Sequence, residues 1–257
     1  MNNLLEQTGS LIPNRDPSSV TGSVFINNNY NLGGSIREQN ILNEFLKGNI
    51  PDFLRKFASV TVFTNTDKIT YLVMTDYLCV GDNNDYVRIP MNPLTAQKIA
   101  DQYDCTLPTK KMVDDIWKQS INKLTPLPWG PPYDASMMST ERVFIHNTRI
   151  QNQLSSKDKT VLTSGHKKDV VLTNRLSPNN PNKRVAIYGW IQSNGQPIQG
   201  LNPVSHEDTY EDYSHGIRLI ANDVVVNGNV MRIQDVFADS KLSKLVSEEG
   251  ILTFNRY

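Results

Sequence analysis

Apolar residues recur along this chain with two periods, one typical of helices and the other typical of strands. In residues 35–47 they recur at the spacing of one helix face, and Gly48 directly after them is a common helix stop. Ser35 and Glu38 have the spacing of a capping box, so we expect Glu38 to cap the first turn of this helix.

Shorter apolar runs between polar turns predict antiparallel strands. Residues 59–63 and 70–74 flank a polar turn, and residues 224–230 contain Asn227-Gly228, the strongest local signal of a β-hairpin. Further strand-like runs occupy residues 77–80, 86–89, 170–172, 185–188 and 217–220.

The middle of the chain is helical. Residues 95–103 have helical spacing, and Pro108 stands where a second helix, reaching residue 117, can begin. We therefore predict the α+β class, with a largely antiparallel sheet and a central helical segment. Residues 1–35, rich in Asn, Ser and Gly, are predicted to be a polar N-terminal arm, and residues 36–257 a single α+β domain.

Composition narrows the classes of partner. The 257 residues include 26 basic and 26 acidic ones, so no field of one sign attracts nucleic acid, and we predict no nucleic-acid partner. No apolar run is long enough to span a membrane. The first residues lack the basic and apolar blocks of a signal peptide, which predicts a cytoplasmic or virion-associated protein. Two cysteines are too few for a disulfide framework.

Residues 206–218 carry the densest group of chemically active side chains. Two of the four histidines, His206 and His215, lie here among four carboxylates, two tyrosines and Arg218. A third, His166, stands at the head of another apolar run. Because imidazole changes its charge near neutral pH and also binds metals, this clustering predicts a histidine-rich functional site.

Four short segments form a distinctive set. They are residues 48–55 (GNIPDFLR), 107–114 (LPTKKMVD), 165–171 (GHKKDVV) and 212–218 (DYSHGIR). Together they resemble an uncharacterised family of bacterial proteins, many of them exported, with relatives in bacteriophages. The resemblance covers roughly residues 35–250. It implies a family grouping and no mechanism, because that family has no established activity. The first residues do not resemble a leader sequence, which is a difference from the exported members of the family.

A first interpretation of the site pairs Cys105 with His166. Cys105 directly precedes the predicted helix of residues 107–117, and a thiol at a helix N-terminus has its thiolate stabilised by the helix dipole. His166 is then the base, and His206 or Asp212 orients its ring. That order is similar to the papain-like cell-wall amidases, which implies a papain-like fold. The alternative is a buried Cys105 that only packs against the start of the helix.

A second interpretation is a hydrolytic zinc site, because imidazole and carboxylate are its usual ligands. The candidate ligands are His166, Asp169, His206 and His215. If residues 212–217 are extended, Asp212 and His215 point to opposite faces, so that Asp212 supports the ligands without joining them. The alternative is a set of histidines that bond to nearby carboxylates at a sheet edge.

A third interpretation uses a histidine as general base, a carboxylic acid as proton donor, and Arg218 to hold an anionic or sugar substrate. Residues 192–203 are predicted to form one lip of the cleft. The other predicted substrate contacts are Tyr210, Tyr213, Trp190 and Lys168.

These interpretations favour a hydrolase that cuts an amide or glycosidic bond of a cell-envelope polymer, with a polysaccharide or peptidoglycan-like substrate. The predicted catalytic residues are Cys105, His166, His206, Asp212 and His215. The competing prediction is a non-enzymatic structural or binding protein, such as a phage virion component. Its N-terminal arm would contact a neighbouring chain or a second copy.

Overall fold

A computed structural model of the chain describes residues 11–29, 31–176 and 183–257. The α-helices in these residues are α1 (Gly22–Asn29), α2 (Gly34–Leu46), α3 (Pro93–Gln102), α4 (Lys110–Gln119), α5 (Thr140–Leu154) and α6 (Ile233–Ala238). The strands are β1 (Phe57–Phe63), β2 (Lys68–Met74), β3 (Cys79–Gly81), β4 (Tyr86–Arg88), β5 (Cys105–Thr106), β6 (Asn122–Lys123), β7 (Thr163–Ser164), β8 (Lys168–Val170), β9 (Ile187–Ile191), β10 (Pro197–Asn202), β11 (His215–Gly216), β12 (Ile220–Ala221), β13 (Asp223–Val226) and β14 (Asn229–Arg232).

The larger sheet is built around β2, which is buried at every position after Lys68. Its strand order is β14-β13-β2-β12-β5, and β1 also pairs with β2 across the predicted polar turn, all in antiparallel fashion. The predicted hairpin at Asn227-Gly228 is confirmed, because β13 pairs with β14 there. Asn227 has φ 50° and Gly228 has φ 91°, the left-handed backbone that a tight hairpin turn requires.

The smaller sheet has the strand order β10-β9-β8-β11. Strand β8 pairs antiparallel with β9 and parallel with β11, which places His215 opposite Lys168. This sheet therefore brings residues of the 165–171 and 212–218 segments side by side. The α+β class and the largely antiparallel pairing are confirmed; the parallel strand pairs in the described residues are β8–β11 and β6–β7.

The predicted central helices are confirmed as α3 and α4, and each begins at a polar cap. Asn92 accepts a hydrogen bond from the Thr95 N–H, and Thr109 accepts one from the Met112 N–H. The papain-like arrangement is not confirmed. Cys105 lies in β5, opposite Ala221, and α4 begins only at Lys110.

The capping box predicted for α2 is wrong. The helix begins at Gly34 without a side-chain cap, and the Glu38 carboxylate instead accepts a hydrogen bond from the Asn92 N–H at the start of α3. The predicted stop is confirmed, because α2 ends at Leu46 and Gly48 has φ 66°. Packing between α2 and α3 therefore directs Glu38 away from its own helix end.

Helix α5 was not predicted from the sequence. Its buried face mixes Val143 and Ile150 with the polar His146 and Asn147, which interrupts the apolar period. Its N-cap is Ser139, whose hydroxyl accepts a hydrogen bond from the Arg142 N–H. No helix within the described residues is long and apolar enough to cross a membrane.

Part of the predicted N-terminal arm contributes to the core. Phe25 and Ile26 of α1 are buried, and Gly22 lies so close to β4 that a β-carbon there would stand 2.7 Å from the Tyr86 Cα. The polar composition of this segment did not predict that burial. Residues 1–10 and Tyr30 lie outside the described residues. The division into arm and domain at residue 35 stays a prediction.

We expect Ile26→Val to lower the free energy of unfolding by about 0.5–1.5 kcal/mol, because it removes one buried methylene from the core. Val24→Ala on the same helix is the control, since Val24 is 43% exposed and its truncation should change stability by less than about 0.5 kcal/mol. Urea unfolding of both variants measures the difference. Equal effects would show that α1 is detached from the core in solution.

Candidate functional site

An open cleft of about 560 Å³ lies along the smaller sheet. It gathers six of the residues predicted for the site, namely Lys168, Trp190, His206, Tyr210, Asp212 and Tyr213. Ile198 and Gln199 of β10 also line it, as expected for a lip formed by residues 192–203. The opposite wall comes from residues 128–137.

His206 is half-buried in this cleft and lies flat against Tyr210. The ring centroids are 3.9 Å apart and the ring planes differ by 8°. The Tyr210 hydroxyl in turn donates a hydrogen bond of 3.1 Å to Asp212 Oδ2. Burial lowers the pKa of His206, and the positive charge of Lys168 adds to this, against the opposing charge of Asp212. His206 is therefore neutral at neutral pH and able to accept a proton.

A tight turn brings Asp212 and His215 together. The His215 N–H donates to the Asp212 carbonyl at 3.0 Å, and His215 Nε2 lies 3.9 Å from Asp212 Oδ2. Both the N–H and the hydroxyl of Ser214 donate to Asp212 Oδ1. The extended conformation expected for residues 212–217 is therefore wrong at its start, because the carboxylate of Asp212 caps a turn of its own chain.

Asp212 carries a negative charge at the back of the cleft. Burial alone would raise its pKa, but His215, Lys168 and the Ser214 donors lower the pKa to about 2. His215 itself is fully buried, and burial lowers its pKa to about 4, so its ring is neutral at neutral pH.

Lys168 supplies a cation to the same cleft. Its Nζ lies 4.4 Å from the centroid of the Trp190 ring, a cation–π contact. The Trp190 indole N–H donates a hydrogen bond to the His166 carbonyl at 3.2 Å, which fixes the plane of the ring. Lys168 and Trp190 thus form one rigid, cationic and aromatic side of the cleft.

The far wall contains aromatic residues that the sequence analysis did not include. The Trp129 N–H donates to the Tyr213 hydroxyl at 2.5 Å, and the Trp129 ring lies 4.9 Å from the Arg149 guanidinium. Tyr133 is 73% exposed at the cleft. Trp129 lies within the proline-rich residues 126–132, and Tyr133 directly follows them. Large aromatic side chains in such a loop were the sequence feature that could have indicated this wall of the cleft.

A buried lysine lies behind the cleft and contacts its wall. Lys167 Nζ donates a hydrogen bond of 2.5 Å to the Tyr213 carbonyl, and burial lowers the pKa of Lys167 to about 7. His146 of α5 is also buried, and its ring packs edge to face against Tyr213, with the ring centroids 4.9 Å apart. The position of Tyr213 is therefore fixed from two sides.

Cys105 lies apart from this cleft. Its thiol is buried and donates to the Tyr103 carbonyl at 3.3 Å, and the charges that act on it are those of Asp104 and Arg232. Burial raises the pKa of the Cys105 thiol, the opposite of what a nucleophile needs. His166 instead lies against Asp76, with Nε2 3.1 Å from Asp76 Oδ1. The structure favours the packing alternative for Cys105.

Two further predicted residues, Asp169 and Arg218, are buried behind the cleft. The Tyr77 hydroxyl donates to Asp169 Oδ2 at 2.8 Å, and burial raises the pKa of Asp169 to about 7. The Arg218 guanidinium lies 4.2 Å from the Tyr77 ring and donates to the carbonyls of Met74 and Thr163. Arg218 thus holds backbone together and does not reach the cleft surface.

The zinc interpretation gains no support from the arrangement of the ligands. Of the four candidate ligands, His206 lines the cleft, His215 contacts Asp212, and His166 and Asp169 contact other buried partners. Within residues 11–29, 31–176 and 183–257, no group of three or more His, Cys, Asp and Glu side chains is arranged to hold a metal ion.

The resemblance to an uncharacterised bacterial and phage family stays a prediction. Comparison of the chain with protein-family models, with curated proteins and with solved structures finds no match.

Proposed function

We propose that the protein is a hydrolase that cuts an amide bond in a cell-envelope polymer, with the cleft as its substrate site. One arrangement carries this proposal. A neutral, half-buried His206 lies against Tyr210 in front of the ionised Asp212, and Lys168 presents a cation to the same space. Amide hydrolysis by water uses a base that removes a proton from the water molecule and a negative charge that stabilises the protonated base. It also uses a cationic donor that stabilises the oxyanion.

In the proposed reaction, His206 takes a proton from a water molecule while the water oxygen bonds to the carbonyl carbon. The Lys168 ammonium stabilises the oxyanion that forms. The C–N bond then breaks, and the imidazolium of His206 gives its proton to the departing amine. The negative charge of Asp212 stabilises the imidazolium between these two steps. The products are a carboxylic acid and an amine.

The carboxylates of the cleft favour an amide over a glycosidic bond. Glycosidases need one carboxylic acid that stays protonated to donate to the leaving group. The cleft is lined by Asp134 and Asp212, and hydrogen bonds from Ser136 lower the pKa of the first while His215 and Lys168 lower that of the second. Both are therefore ionised at neutral pH.

The substrate class is proposed from the cleft walls. Trp129, which is partly exposed, and Tyr133, which is 73% exposed, offer flat aromatic faces, and such faces stack on sugar rings or on the apolar side of a peptide. A peptidoglycan fragment carries sugar rings and amide-linked peptide on one molecule, so it matches both the aromatic wall and the proposed reaction.

The test is incubation of the protein with purified muropeptides, followed by mass spectrometry of the products. We expect pairs of fragments whose masses sum to substrate plus one water, with a new amine on one fragment. Titration of the tryptophan fluorescence measures binding in parallel, since two of the three tryptophans line the cleft. The absence of products would overturn the proposed hydrolysis, whether or not the muropeptides bind.

The pH dependence of this reaction has a defined sign. The pKa of His206 lies below 6.5, mainly because of burial, so the reactive neutral form is present at pH 7 and lost as the pH falls through that pKa. Burial also lowers the pKa of Lys168 from 10.5, so the rate should fall again at high pH as the ammonium loses its proton. We expect a bell-shaped profile of kcat/KM. A rate that rises toward acid pH would contradict His206 as the base.

The second candidate is a non-enzymatic binding protein. It is favoured by the aromatic wall, because Trp129 and Tyr133 can hold a ligand without any chemistry at His206. The same muropeptide experiment separates the two functions: saturable fluorescence change without products supports binding alone. Contacts of the N-terminal arm with a virion neighbour or a second copy stay a prediction.

A further inference from the structure

The dipeptide Asn-Gly occurs twice in the chain, as Asn194-Gly195 and as Asn227-Gly228. Each copy lies at the tip of a hairpin, the first between β9 and β10 and the second between β13 and β14, and both asparagines are exposed. A glycine after an asparagine leaves its backbone nitrogen open to the asparagine side chain, because glycine has no β-carbon to obstruct the approach. The two copies therefore share the same reactive sequence and differ in their hydrogen bonds.

Asn227 is held by the neighbouring turn between β1 and β2. Its N–H donates to the Lys68 carbonyl at 3.0 Å, and its Oδ1 accepts the Lys68 N–H at 2.9 Å. Its Nδ2 donates to Asp67 Oδ1 at 2.9 Å, and Asp67 in turn pairs with Lys241. The bond from Nδ2 to the carboxylate is charge-assisted and therefore strong. It fixes the nitrogen that would have to leave if the side-chain amide were attacked.

The side chain of Asn194 is held only within its own loop. Its Oδ1 accepts the Gln196 N–H at 2.9 Å, and its Nδ2 has no hydrogen-bond partner in the part of the chain that the structure describes. The Gln196 N–H polarises the side-chain carbonyl and stabilises an oxyanion formed there. One contact opposes the attack, because the Gly195 N–H donates to the Gln192 carbonyl at 2.8 Å. A single bond at an exposed hairpin tip opens readily.

We propose that Asn194 is a site of spontaneous deamidation and isoaspartate formation, and that the fold protects Asn227 from the same reaction. The Gly195 nitrogen loses its proton to water and bonds to Asn194 Cγ. The bond from Cγ to Nδ2 breaks, and that nitrogen takes up a proton from water and leaves as ammonia, so that a succinimide ring closes. One water molecule then opens the ring at either carbonyl, which gives aspartate or isoaspartate. Water is the only co-reactant.

This modification changes the loop beside the cleft. Both products add a negative charge, and isoaspartate also adds one carbon atom to the backbone between β9 and β10. The Gln192 N–H donates to the Gln196 carbonyl at 2.9 Å across this loop, so a longer backbone disturbs the closing pair of the hairpin. Ile198 and Gln199 of β10 line the cleft. The modification is independent of the proposed hydrolysis, because no group that lines the cleft takes part in it.

The test is incubation of the whole folded protein in ¹⁸O-labelled water at mildly alkaline pH, followed by trypsin digestion in ordinary water and mass spectrometry. The isotope marks only those residues that react with water during the incubation. Cleavage after Arg184, Arg218 and Arg232 places the two asparagines in separate peptides. We expect Asn194 to be labelled faster than Asn227 by about tenfold or more, the factor that corresponds to one further hydrogen bond to a charged group. Fragmentation of the peptide should show both aspartate and isoaspartate at position 194.

Two controls separate the effect of the fold from that of the sequence. In urea both asparagines should be labelled at similar rates, because each is followed by glycine and neither keeps its hydrogen bonds. Asp67→Ala removes the acceptor of the Asn227 amide, so it should speed labelling at Asn227 and leave the rate at Asn194 unchanged. If this variant does not fold, the comparison of wild type with and without urea still decides. No labelling at Asn194, equal rates in the folded protein, or the same ratio of rates in urea would overturn the proposal.

Discussion

His206→Phe is expected to lower kcat/KM on muropeptides by about 10²–10⁴-fold, the usual contribution of a positioned general base. Phenylalanine keeps a flat ring against Tyr210 but has no nitrogen to accept a proton, so the stacked geometry survives while the chemistry is lost. The measurement is kcat/KM together with the fluorescence titration of muropeptide binding. Loss of the rate without loss of binding identifies proton transfer as the role of His206.

The control for this variant is Gln199→Ala. Gln199 lines the same cleft from β10 and takes no part in the proposed reaction, so its truncation should change the rate far less. Tyr210→Phe removes the hydroxyl that bonds to Asp212 and should give a loss between the two. A His206→Phe protein that keeps most of the wild-type rate would show that another group is the base.

Asp76→Asn is expected to destabilise the fold by about 3–5 kcal/mol, the usual cost of leaving one partner of a buried ion pair without its counter-charge. Asp76 is buried and pairs with Arg88, with Oδ2 2.5 Å from Nη2, and it also contacts His166 Nε2. Asparagine keeps the shape and removes the charge, so the Arg88 cation remains buried and unneutralised. Urea unfolding at pH 7 measures the change.

The exposed pair of Asp101 and Arg256 supplies the matched control. Its N···O distance is 2.9 Å, similar to that of the buried pair, yet both side chains face solvent. Asp101→Asn should therefore cost less than about 1 kcal/mol. Equal losses for Asp76→Asn and Asp101→Asn would show that the interior around Asp76 is hydrated.

The same carboxylate predicts how stability varies with pH. Burial alone would raise the pKa of Asp76, but Arg88 and His166 hold it far below its usual range. A carboxyl group whose folded pKa is depressed stabilises the fold above its unfolded pKa, about 3.9, and loses that contribution as the pH falls below it. The wild type should therefore lose stability below about pH 4 more steeply than Asp76→Asn does.

Local sequence patterns were sufficient to predict the elements whose defining interactions join residues close together in the chain. The Asn227-Gly228 turn, the two central helices and the stop at Gly48 all follow from neighbours in sequence. Helix α5 was missed because half of its buried face is polar. Those polar groups are buried against distant residues, as when the Asn147 amide donates to the Tyr86 carbonyl at 3.0 Å.

For the site, the sequence showed which residues have reactive side chains, but not which of these side chains come into contact in the fold. The functional site in residues 206–218 stays a prediction; the structure shows that His206, Tyr210 and Asp212 of this segment interact with one another and line one cleft. The pairing of Cys105 with His166 depended on strand and helix placement, and the structure directs the two to different partners.

The sequence by itself determined the α+β class, the hairpins, the central helices and the chemical character of the 206–218 segment, because these depend on periodicity and on neighbouring residues. Only the tertiary structure decided that Trp129 faces Tyr213, that His166 bonds to Asp76 and that Glu38 points to α3 and not to its own helix end. Each of those contacts joins residues far apart in the chain. Burial then set their charges, because the cost of removing an ionisable group from water depends on the neighbours that folding provides.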